Sequence, residues 1–454
     1  MTDAPPARPA AADDLSAALA RRLSGEPDTV RRAVALVGEL LSGASARTAT
    51  TANGFLEAHL GLTRTSLVSE HVDLTNTRAI SVGAALADLV EAHHALLGPV
   101  EDDKAPTWQR IDLLDEQVSV PTSAAAFFPA GTATSADVVV QLVEHEWEPE
   151  PASLRVLSRP GDHAAARELT DDLLATARKD KGFYRGRVLH ADSRLPLKLQ
   201  PTALGPGGRE DLVLPDHVWT EIDANVAALT TRAPLLRDLG LGTNRGVLLA
   251  GPPGVGKSAL SRVVARELVG AFTVIVVDAS AASSVLRQVY RETVDLGPCV
   301  VVLEDVDLYL GDRKAGARGT ALADFLAVLD GTEAYTDVLT IASTNDPAAL
   351  DAAATRSARF DTVLHLDAPD RAACAAILTR LLGRFASRGE GSGGPHVDVD
   401  AVAEQLPPGV TGADLREVVR RAVLGHGADL TTEVLLAVVR EGRWQPAPLT
   451  GHYL

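Results

Sequence analysis

The sequence predicts an α/β fold with a mainly parallel sheet, preceded by a helical and a small α+β region and followed by a helical unit. Three observations carry this prediction. Helical patterns alternate with short apolar strands over residues 209–368, as in a parallel sheet. A glycine-rich loop at 251–258 stands between a strand pattern and a helix pattern. Residues 369–441 carry helical periodicity alone.

The glycine-rich loop is the most specific motif of the chain. It fits G-x-x-x-x-G-K-[ST], the phosphate loop of nucleoside-triphosphate hydrolases, with the sequence Gly251-Pro252-Pro253-Gly254-Val255-Gly256-Lys257-Ser258. Its glycines let backbone N–H groups turn towards phosphates, and the helix that follows adds its positive dipole end. We predict that Lys257 reaches the outer phosphates and that the Ser258 hydroxyl holds magnesium. The next residue, Ala259, completes the predicted nucleotide-binding segment.

Polar residues end two apolar strands that follow this loop. Residues 300–303 lead into Glu304 and Asp305, a Walker B-like pattern that brings carboxylates to the metal and to the attacking water. Residues 338–342 lead towards Asn345, and an asparagine there can orient water near the γ-phosphate. Taken alone, such residues usually form a solvated turn. Their order after a phosphate loop favours the functional interpretation.

Two arginines, Arg356 and Arg359, precede Phe360-Asp361 at a spacing of three residues. Arginines in this place can act across a subunit boundary as arginine fingers, which stabilise the charge of a transferring phosphoryl group. The alternative is ordinary ion pairing at the surface, which contributes little to stability.

The ordered motifs resemble an AAA ATPase module of the AAA+ superfamily over roughly residues 209–441. The resemblance is carried by 245–254, Pro298-Cys299, Thr344-Asn345, Arg356 with Arg359, and Thr411-Gly412-Ala413-Asp414-Leu415. It implies a P-loop parallel sheet with a C-terminal helical lid, ATP and Mg²⁺ as ligands, and a homo-oligomer, usually a hexameric ring with active sites at subunit boundaries. The resemblance also places Gly412 and Ala413 near the nucleotide. It assigns magnesium to Glu304, water polarisation to Asp305 and water orientation to Asn345.

The chain departs from the usual family pattern in two places. The family commonly ends Walker B in Asp-Glu, whereas this chain has Glu304-Asp305. The same order resembles that of the mitochondrial AAA chaperone that translocates folded Rieske iron–sulfur protein, which favours a working site. The shorter aspartate could nevertheless slow hydrolysis, because a base must lie within hydrogen-bond reach of its water. Residues 278–298 also lack the aromatic–hydrophobic–Gly triplet with which many unfoldases grip a polypeptide. A basic glycine-rich loop at 311–319 is a second candidate substrate loop or a solvated loop.

Composition narrows the possible classes of protein. The formal net charge of −17 argues against a general nucleic-acid binder, which needs basic surface. Cys299 and Cys374 lie in a strand pattern and a helix pattern, so we predict buried hydrophobic residues rather than a disulfide or metal pair. No segment reaches the ~18 apolar residues of a membrane helix, and the N-terminus lacks a secretory signal pattern. We therefore predict a cytoplasmic protein without a membrane span.

Periodicity and composition divide the 454 residues into five predicted segments. These are a disordered N-terminus at 1–12, a mainly helical region at 13–135, a small α+β module at 136–204, the AAA+ α/β nucleotide-binding domain at 205–368, and the helical lid with a C-terminal tail at 369–454. The boundary at 205 rests on a Gly-Pro-Gly-Gly linker.

The leading hypothesis is a Mg-ATP-dependent ATPase that remodels or translocates a protein partner recognised by residues 1–204. The alternative is a nucleotide-dependent scaffold or switch that hydrolyses ATP slowly because of the Glu304-Asp305 order. A nucleic-acid-acting AAA+ protein is less favoured, since only the loop at 311–319 supports it. The sequence contains no H-E-x-x-H or G-x-S-x-G motif, so an attached protease or esterase is not predicted. The identity of the partner stays open.

Overall fold

A computed structural model describes residues 51–144, 152–192, 197–310, 335, 337–346, 360–386, 397–442 and 444. The helices are α1 (Ala52–Leu60), α2 (Asn76–His93), α3 (His163–Asp180), α4 (Asp216–Leu229), α5 (Ala233–Asp238), α6 (Lys257–Leu268), α7 (Ala279–Leu296), α8 (Asp307–Leu310), α9 (Arg371–Ala386), α10 (Val399–Glu404), α11 (Gly412–His426) and α12 (Thr432–Glu441). The strands are β1 (Val68–Leu74), β2 (Leu96–Gly98), β3 (Thr107–Asp112), β4 (Gln117–Phe128), β5 (Val138–Val143), β6 (Ala152–Ser158), β7 (Val188–Ala191), β8 (Leu199–Pro201), β9 (Arg245–Ala250), β10 (Thr273–Val277), β11 (Cys299–Leu303), β12 (Val338–Thr344) and β13 (Thr362–His365).

The first six strands form one antiparallel sheet in the N-terminal unit. Its order is β1-β6-β5-β4-β2, and β3 pairs with β4. The predicted mainly helical region at 13–135 is therefore wrong for its described part, which contains β1 to β4 beside α1 and α2. The predicted boundary at 136 does not separate two units either, because β4 pairs with β5 across it.

Two local features explain this error. Ala124, Ala125 and Ala126 favour helix by intrinsic propensity, yet they are almost fully buried in the middle of β4. Tertiary packing in a central strand overrides that preference. In β3, five of the six residues are exposed, so the alternation that marks a half-buried strand is missing.

The second sheet positions the phosphate loop. Its order is β13-β9-β12-β11-β10-β7-β8, and all neighbours are parallel except β7 and β8. The predicted α/β fold is confirmed. However, β7 and β8 precede the predicted domain boundary at 205 and still extend this sheet. The Gly-Pro-Gly-Gly segment is thus a connection within the domain rather than its beginning.

Helices cover both faces of this sheet, and the alternating side chains of β9 show how. Val247 and Leu249 pack with α4 and α6, whereas Leu248 faces the opposite layer. That opposite layer contains α7 and also Ile111 and Leu113 of the N-terminal unit. The N-terminal unit therefore shares a hydrophobic core with the nucleotide-binding sheet. Burial on both faces explains why these parallel strands read as continuous apolar runs.

The C-terminal helices α9 to α12 pack around a separate apolar cluster that includes Leu378, Val418 and Leu435. The predicted helical unit after the sheet is confirmed. Its helix α11 begins with a capping box, in which the Thr411 hydroxyl and the Asp414 carboxylate each accept a backbone N–H of the other residue. None of the described helices is both long and apolar enough to cross a membrane.

Both cysteines are free and buried, as the sequence predicts. Burial raises the pKa of the Cys299 thiol to about 12 and also raises that of Cys374. Since a raised pKa lowers the thiolate fraction, we expect negligible reaction of the folded protein with Ellman's reagent at pH 8. Unfolding in guanidinium should release both thiols. Rapid labelling of the folded protein would contradict this burial.

Candidate nucleotide-binding site

Three adjacent parallel strands bring the predicted site residues to one edge of the sheet. The β9 residue Ala250 pairs with Thr344 of β12, and Ala342 of β12 pairs with Leu303 of β11. The phosphate loop, Asn345 and the acidic pair therefore follow directly from aligned strand ends. Ligands of open α/β sheets bind at the carboxyl ends of the strands, which is where these residues lie.

The phosphate loop has the backbone conformation that its glycines permit. Gly254 and Gly256 have φ values of 87° and 108°, a region that other residues rarely adopt. A Cβ atom on Gly254 would lie 2.7 Å from the Thr411 hydroxyl oxygen, so this position also has no room for a side chain. A Cβ on Gly256 would meet no atom within 4 Å, which leaves open space beside the loop. This open cradle at the start of α6 fits a phosphate group.

Lys257 lies at the start of α6 and is only 5% exposed. Its ammonium donates to the carbonyl oxygens of Gly251 and Pro252, at 2.7 and 2.8 Å, and to Oδ1 of Asn345 at 2.8 Å. Burial lowers the pKa of Lys257, while the carboxylates of Asp305 and Asp307 act in the opposite direction. The ammonium is thus held inside the loop, where phosphate oxygens can replace the carbonyl partners.

Asn345 connects the lysine to the acidic residues after β11. Its side-chain amide donates to Oδ1 of Asp305 at 2.9 Å, and its backbone N–H donates to Oδ1 of Asp307 at 2.9 Å. Asp305 has a positive φ of 49°, a conformation that aspartate tolerates better than most residues. Its backbone N–H donates to the Ser343 hydroxyl at 3.2 Å. Lys257, Asn345 and Asp305 therefore form one hydrogen-bonded chain.

Ser258 and Glu304 bring two oxygen-bearing side chains together that could bind a metal ion. Burial raises the pKa of the Glu304 carboxyl, whereas Arg262 and the nearby Ser258 hydroxyl act to lower it. A hydroxyl and a carboxylate are ligands that Mg²⁺ accepts, and Mg²⁺ usually takes few protein ligands and fills its shell with phosphates and water. Across the described ranges, no group of three or more His, Cys, Asp or Glu residues is arranged to hold a metal. The donor set thus fits a magnesium ion that arrives with a nucleotide.

The start of α11 lies against the phosphate loop. The backbone N–H of Ala413 donates to the Gly254 carbonyl at 3.1 Å, and a Cβ on Gly412 would lie 3.5 Å from the same oxygen. Of the two residues that the resemblance placed near the nucleotide, Ala413 contacts the loop and Gly412 lies beside it. A movement of the C-terminal helices relative to the sheet would therefore change this contact directly.

Some predicted residues lie outside the described residues, namely Arg356, Arg359 and the loop at 311–319. Tyr290, the aromatic residue of the 278–298 segment, is buried, and its hydroxyl hydrogen-bonds that of Thr340 at 2.7 Å. The structure adds Asp307 and Arg262 to the site. Asp307 stands in the Glu-Asp-Val-Asp run and could have been selected from it. Arg262 carries no comparable sequence signal, because only the fold brings it near Glu304.

The sequence profile of the ATPase family associated with various cellular activities (AAA) matches residues 247–368, from β9 to just beyond β13. The chain contains an AAA ATPase domain. The chain is 34% identical over 217 residues to the ATP-dependent zinc metalloprotease FtsH 1 of Conexibacter woesei. The aligned residues cover 45% of this chain and 32% of that protein. It is also 34% identical over 236 residues to the ATP-dependent zinc metalloprotease FtsH of Acidothermus cellulolyticus. These residues cover 48% of this chain and 34% of that protein.

A relative with a different name supports the same domain. The chain is 30% identical over 251 residues to the nuclear valosin-containing protein-like protein of Mus musculus, with coverage of 50% of this chain and 28% of that protein. The chain thus spans about a third of the length of the curated relatives it matches.

Proposed function

We propose that this chain is a Mg-ATP-dependent ATPase that remodels or translocates a protein partner. The observation that carries the proposal is the connected set of Lys257, Asn345 and Asp305 beside the Ser258–Glu304 pair, all at the edge that carries the phosphate loop. Loop N–H groups and Lys257 would hold the phosphates, and Ser258 with Glu304 would hold Mg²⁺. The bound ion supplies neutralisation of charge on the phosphate oxygens.

The residues of the chain have separate tasks in this mechanism. The Asp305 carboxylate takes the proton of the attacking water, and the Asn345 amide holds that carboxylate and orients the water. The Lys257 ammonium stabilises negative charge on the outer phosphate oxygens as the bond to the leaving group breaks. The contact of Ala413 with Gly254 relays the state of the loop to the helical lid.

The proposed base is tested by Asp305→Asn, which keeps the shape of the side chain and an acceptor oxygen for Asn345. We expect phosphate release to fall by roughly 10²- to 10⁴-fold, the usual contribution of a positioned base, while a fluorescent ATP analogue still binds. Asp346→Asn, the same change at the exposed acid beside Asn345, is the matched control. Wild-type turnover by Asp305→Asn would place the base elsewhere.

We further propose that Arg356 or Arg359 of a neighbouring subunit completes the site in a homo-oligomeric ring, usually of six subunits in this family. Just after these arginines, Asp361 accepts the Gly246 N–H at 2.8 Å and pairs with Arg245 at 3.1 Å. Asp361 is therefore tied to the amino end of β9, roughly 16 Å along the strand from the phosphate loop of its own subunit. This separation supports action on a neighbouring site.

Action between subunits is tested by mixing two inactive variants, Lys257→Ala and Arg359→Ala. Random assembly of a head-to-tail ring would give about a quarter of the interfaces an intact lysine and an intact arginine. We expect turnover to return to that extent in an equal mixture and to stay absent in each variant alone. No recovery in rings whose mixed composition is verified by differently tagged subunits would exclude Arg359 as a residue acting between subunits.

A second candidate function is supported by the Glu304-Asp305 order. Asp305 is one methylene shorter than the glutamate common at this place, and its backbone already occupies an unusual conformation. A nucleotide-dependent scaffold would bind ATP and assemble but release little phosphate. The zinc protease activity in the names of two relatives is not proposed, because the sequence carries no H-E-x-x-H motif.

A further inference from the structure

We propose that the N-terminal unit binds an extended polypeptide segment without net charge as an added strand between β3 and β8. The segment would lie in the inter-sheet slot, the cavity of about 390 Å³ that these two strands line. The volume lies at the lower end of the roughly 300–1,000 Å³ that is usual for ligand pockets. The slot lies between the N-terminal sheet and the end of the nucleotide-binding sheet, away from the phosphate loop.

Both strands present an edge rather than a face to the slot. Consecutive residues of each strand line it, namely 109–112 of β3 and all three residues of β8, with Lys198 directly before β8. Side chains alternate between the faces of a sheet, so a face would contribute only every second residue. Among the residues that the structure describes, β3 pairs with β4 alone and β8 with β7 alone. Within the described part of the chain, two sheet edges without a strand partner therefore border one cavity.

The hydrogen-bond register of β3 identifies the backbone groups that face the slot. The Leu113 N–H donates to the Glu116 carbonyl at 2.9 Å, and residues 111 and 109 continue the same alternation towards β4. Trp108 pairs with Pro121, which has no N–H to donate. The backbone N–H and C=O groups of Trp108, Arg110 and Asp112 consequently point away from β4.

The register of β8 gives the same result on the opposite side. Asp192 donates its N–H to the Lys198 carbonyl, and Thr202 donates its N–H to the Val188 carbonyl, both at 2.9 Å. The alternation leaves the N–H and C=O of Leu199 and the C=O of Pro201 directed outward. Donors and acceptors at every second residue match the backbone of an extended peptide, as in recognition by strand addition.

The side chains around the slot define the segment that it fits. Ile80, Ile111 and Leu142 supply apolar lining, which suits β-branched or aliphatic side chains of the peptide. The cations Arg110 and Lys198 are matched by the anions Asp112 and Glu144, so the slot selects neither sign of charge. Charged side chains and Pro201 also disfavour pairing with another exposed sheet. The proposed occupant is therefore a single peptide strand rather than a second sheet.

The probe for this inference is a fluorescein-labelled eight-residue peptide of alternating Thr and Val, measured by anisotropy without nucleotide. We expect saturable binding, and we expect N-methylation of alternate backbone nitrogens to weaken it by at least about tenfold, because the side chains are unchanged and the main-chain donors are lost. Equal binding of both peptides, or no binding of the first, would overturn the proposal.

Two substitutions of Arg110 distinguish main-chain pairing from side-chain contact. Arg110→Pro removes an N–H that points into the slot and does not pair with β4, so we expect peptide affinity to fall about tenfold or more. Arg110→Ala keeps that N–H and should bind within about threefold of wild type. Binding of an ATP analogue verifies that both variants are folded. Unchanged peptide affinity in folded Arg110→Pro would also overturn the proposal.

This inference rests on the proposed function only in treating the peptide as part of a protein partner. Binding is measured without nucleotide, whereas turnover is measured without peptide. Absence of peptide binding with intact turnover would overturn the peptide-binding proposal and leave the ATPase proposal standing. Absence of turnover with intact peptide binding would do the opposite.

Discussion

Replacement of Lys257 by alanine is expected to lower Mg-ATP-dependent phosphate release by roughly 10²- to 10³-fold or more, the effect of losing one preorganised charge-stabilising donor. The ammonium is almost completely buried and donates to three oxygens of the site. Its loss leaves Asn345 Oδ1 without this donor and removes the positive charge that faces the phosphates. Steady-state phosphate release by the purified variant measures the effect.

The matched control for this experiment is Lys104→Ala, which removes an exposed lysine of the N-terminal unit. It should hydrolyse ATP at the wild-type rate. Circular dichroism and thermal unfolding of both variants show whether the fold is retained. Wild-type turnover in Lys257→Ala would mean that the activity does not arise at the phosphate loop, and the assignment of the site would fall.

Truncation of Glu292 to alanine is expected to destabilise the protein by about 2–4 kcal/mol, because it leaves buried donors unpaired. Glu292 lies on α7 of the nucleotide-binding domain and is 3% exposed. Its carboxylate accepts the Asn76 N–H at 2.8 Å, and the Thr77 N–H and hydroxyl at 3.1 and 2.5 Å. These N–H groups begin α2 and have no partner within that helix.

The carboxylate therefore caps a helix of the N-terminal unit, where negative charge is also favoured by the helix dipole. Lowered thermal stability and faster hydrogen exchange at the α2 amides would measure its loss. Glu433→Ala, at an exposed glutamate in the first turn of α12, should change stability by no more than about 0.5 kcal/mol. A Glu292→Ala variant as stable as Glu433→Ala would show that the cap contributes nothing.

This cap places α7 in contact with both units. The helix begins directly after Asp278, whose charge influences Glu304, and its other end holds α2. Near the same end, Asp295 accepts the Thr75 hydroxyl at 3.0 Å. One helix thus extends from beside Glu304, the proposed magnesium ligand, to the unit that we propose binds the partner.

The AAA domain could be predicted from the sequence because its signals are local and contiguous. The phosphate loop at 251–258 is directly preceded by a strand pattern and followed by a helix pattern, so the whole motif lies in one short segment. The buried parallel strands are continuous apolar runs. The helix-favouring alanines of β4 and the exposed side chains of β3 gave the opposite signal in the N-terminal unit. There, packing against neighbouring strands decides the structure.

Contacts between distant segments had no sequence signal at all. Glu292 and Thr77 are separated by more than two hundred residues, and either one alone is an ordinary helical residue. The same is true of β7 and β8, which join the nucleotide-binding sheet from before the glycine-rich linker. Only the folded chain shows that the N-terminal unit and the AAA domain share a core.

Steady-state phosphate release with Mg-ATP, measured over a range of protein concentrations beside sedimentation of the same samples, tests the central claim most directly. We expect turnover per subunit to rise as oligomers form and to reach a plateau when assembly is complete, because in the proposed ring each site takes residues from two subunits. Oligomers that form on ATP addition but release negligible phosphate would contradict hydrolysis and establish the nucleotide-dependent scaffold instead.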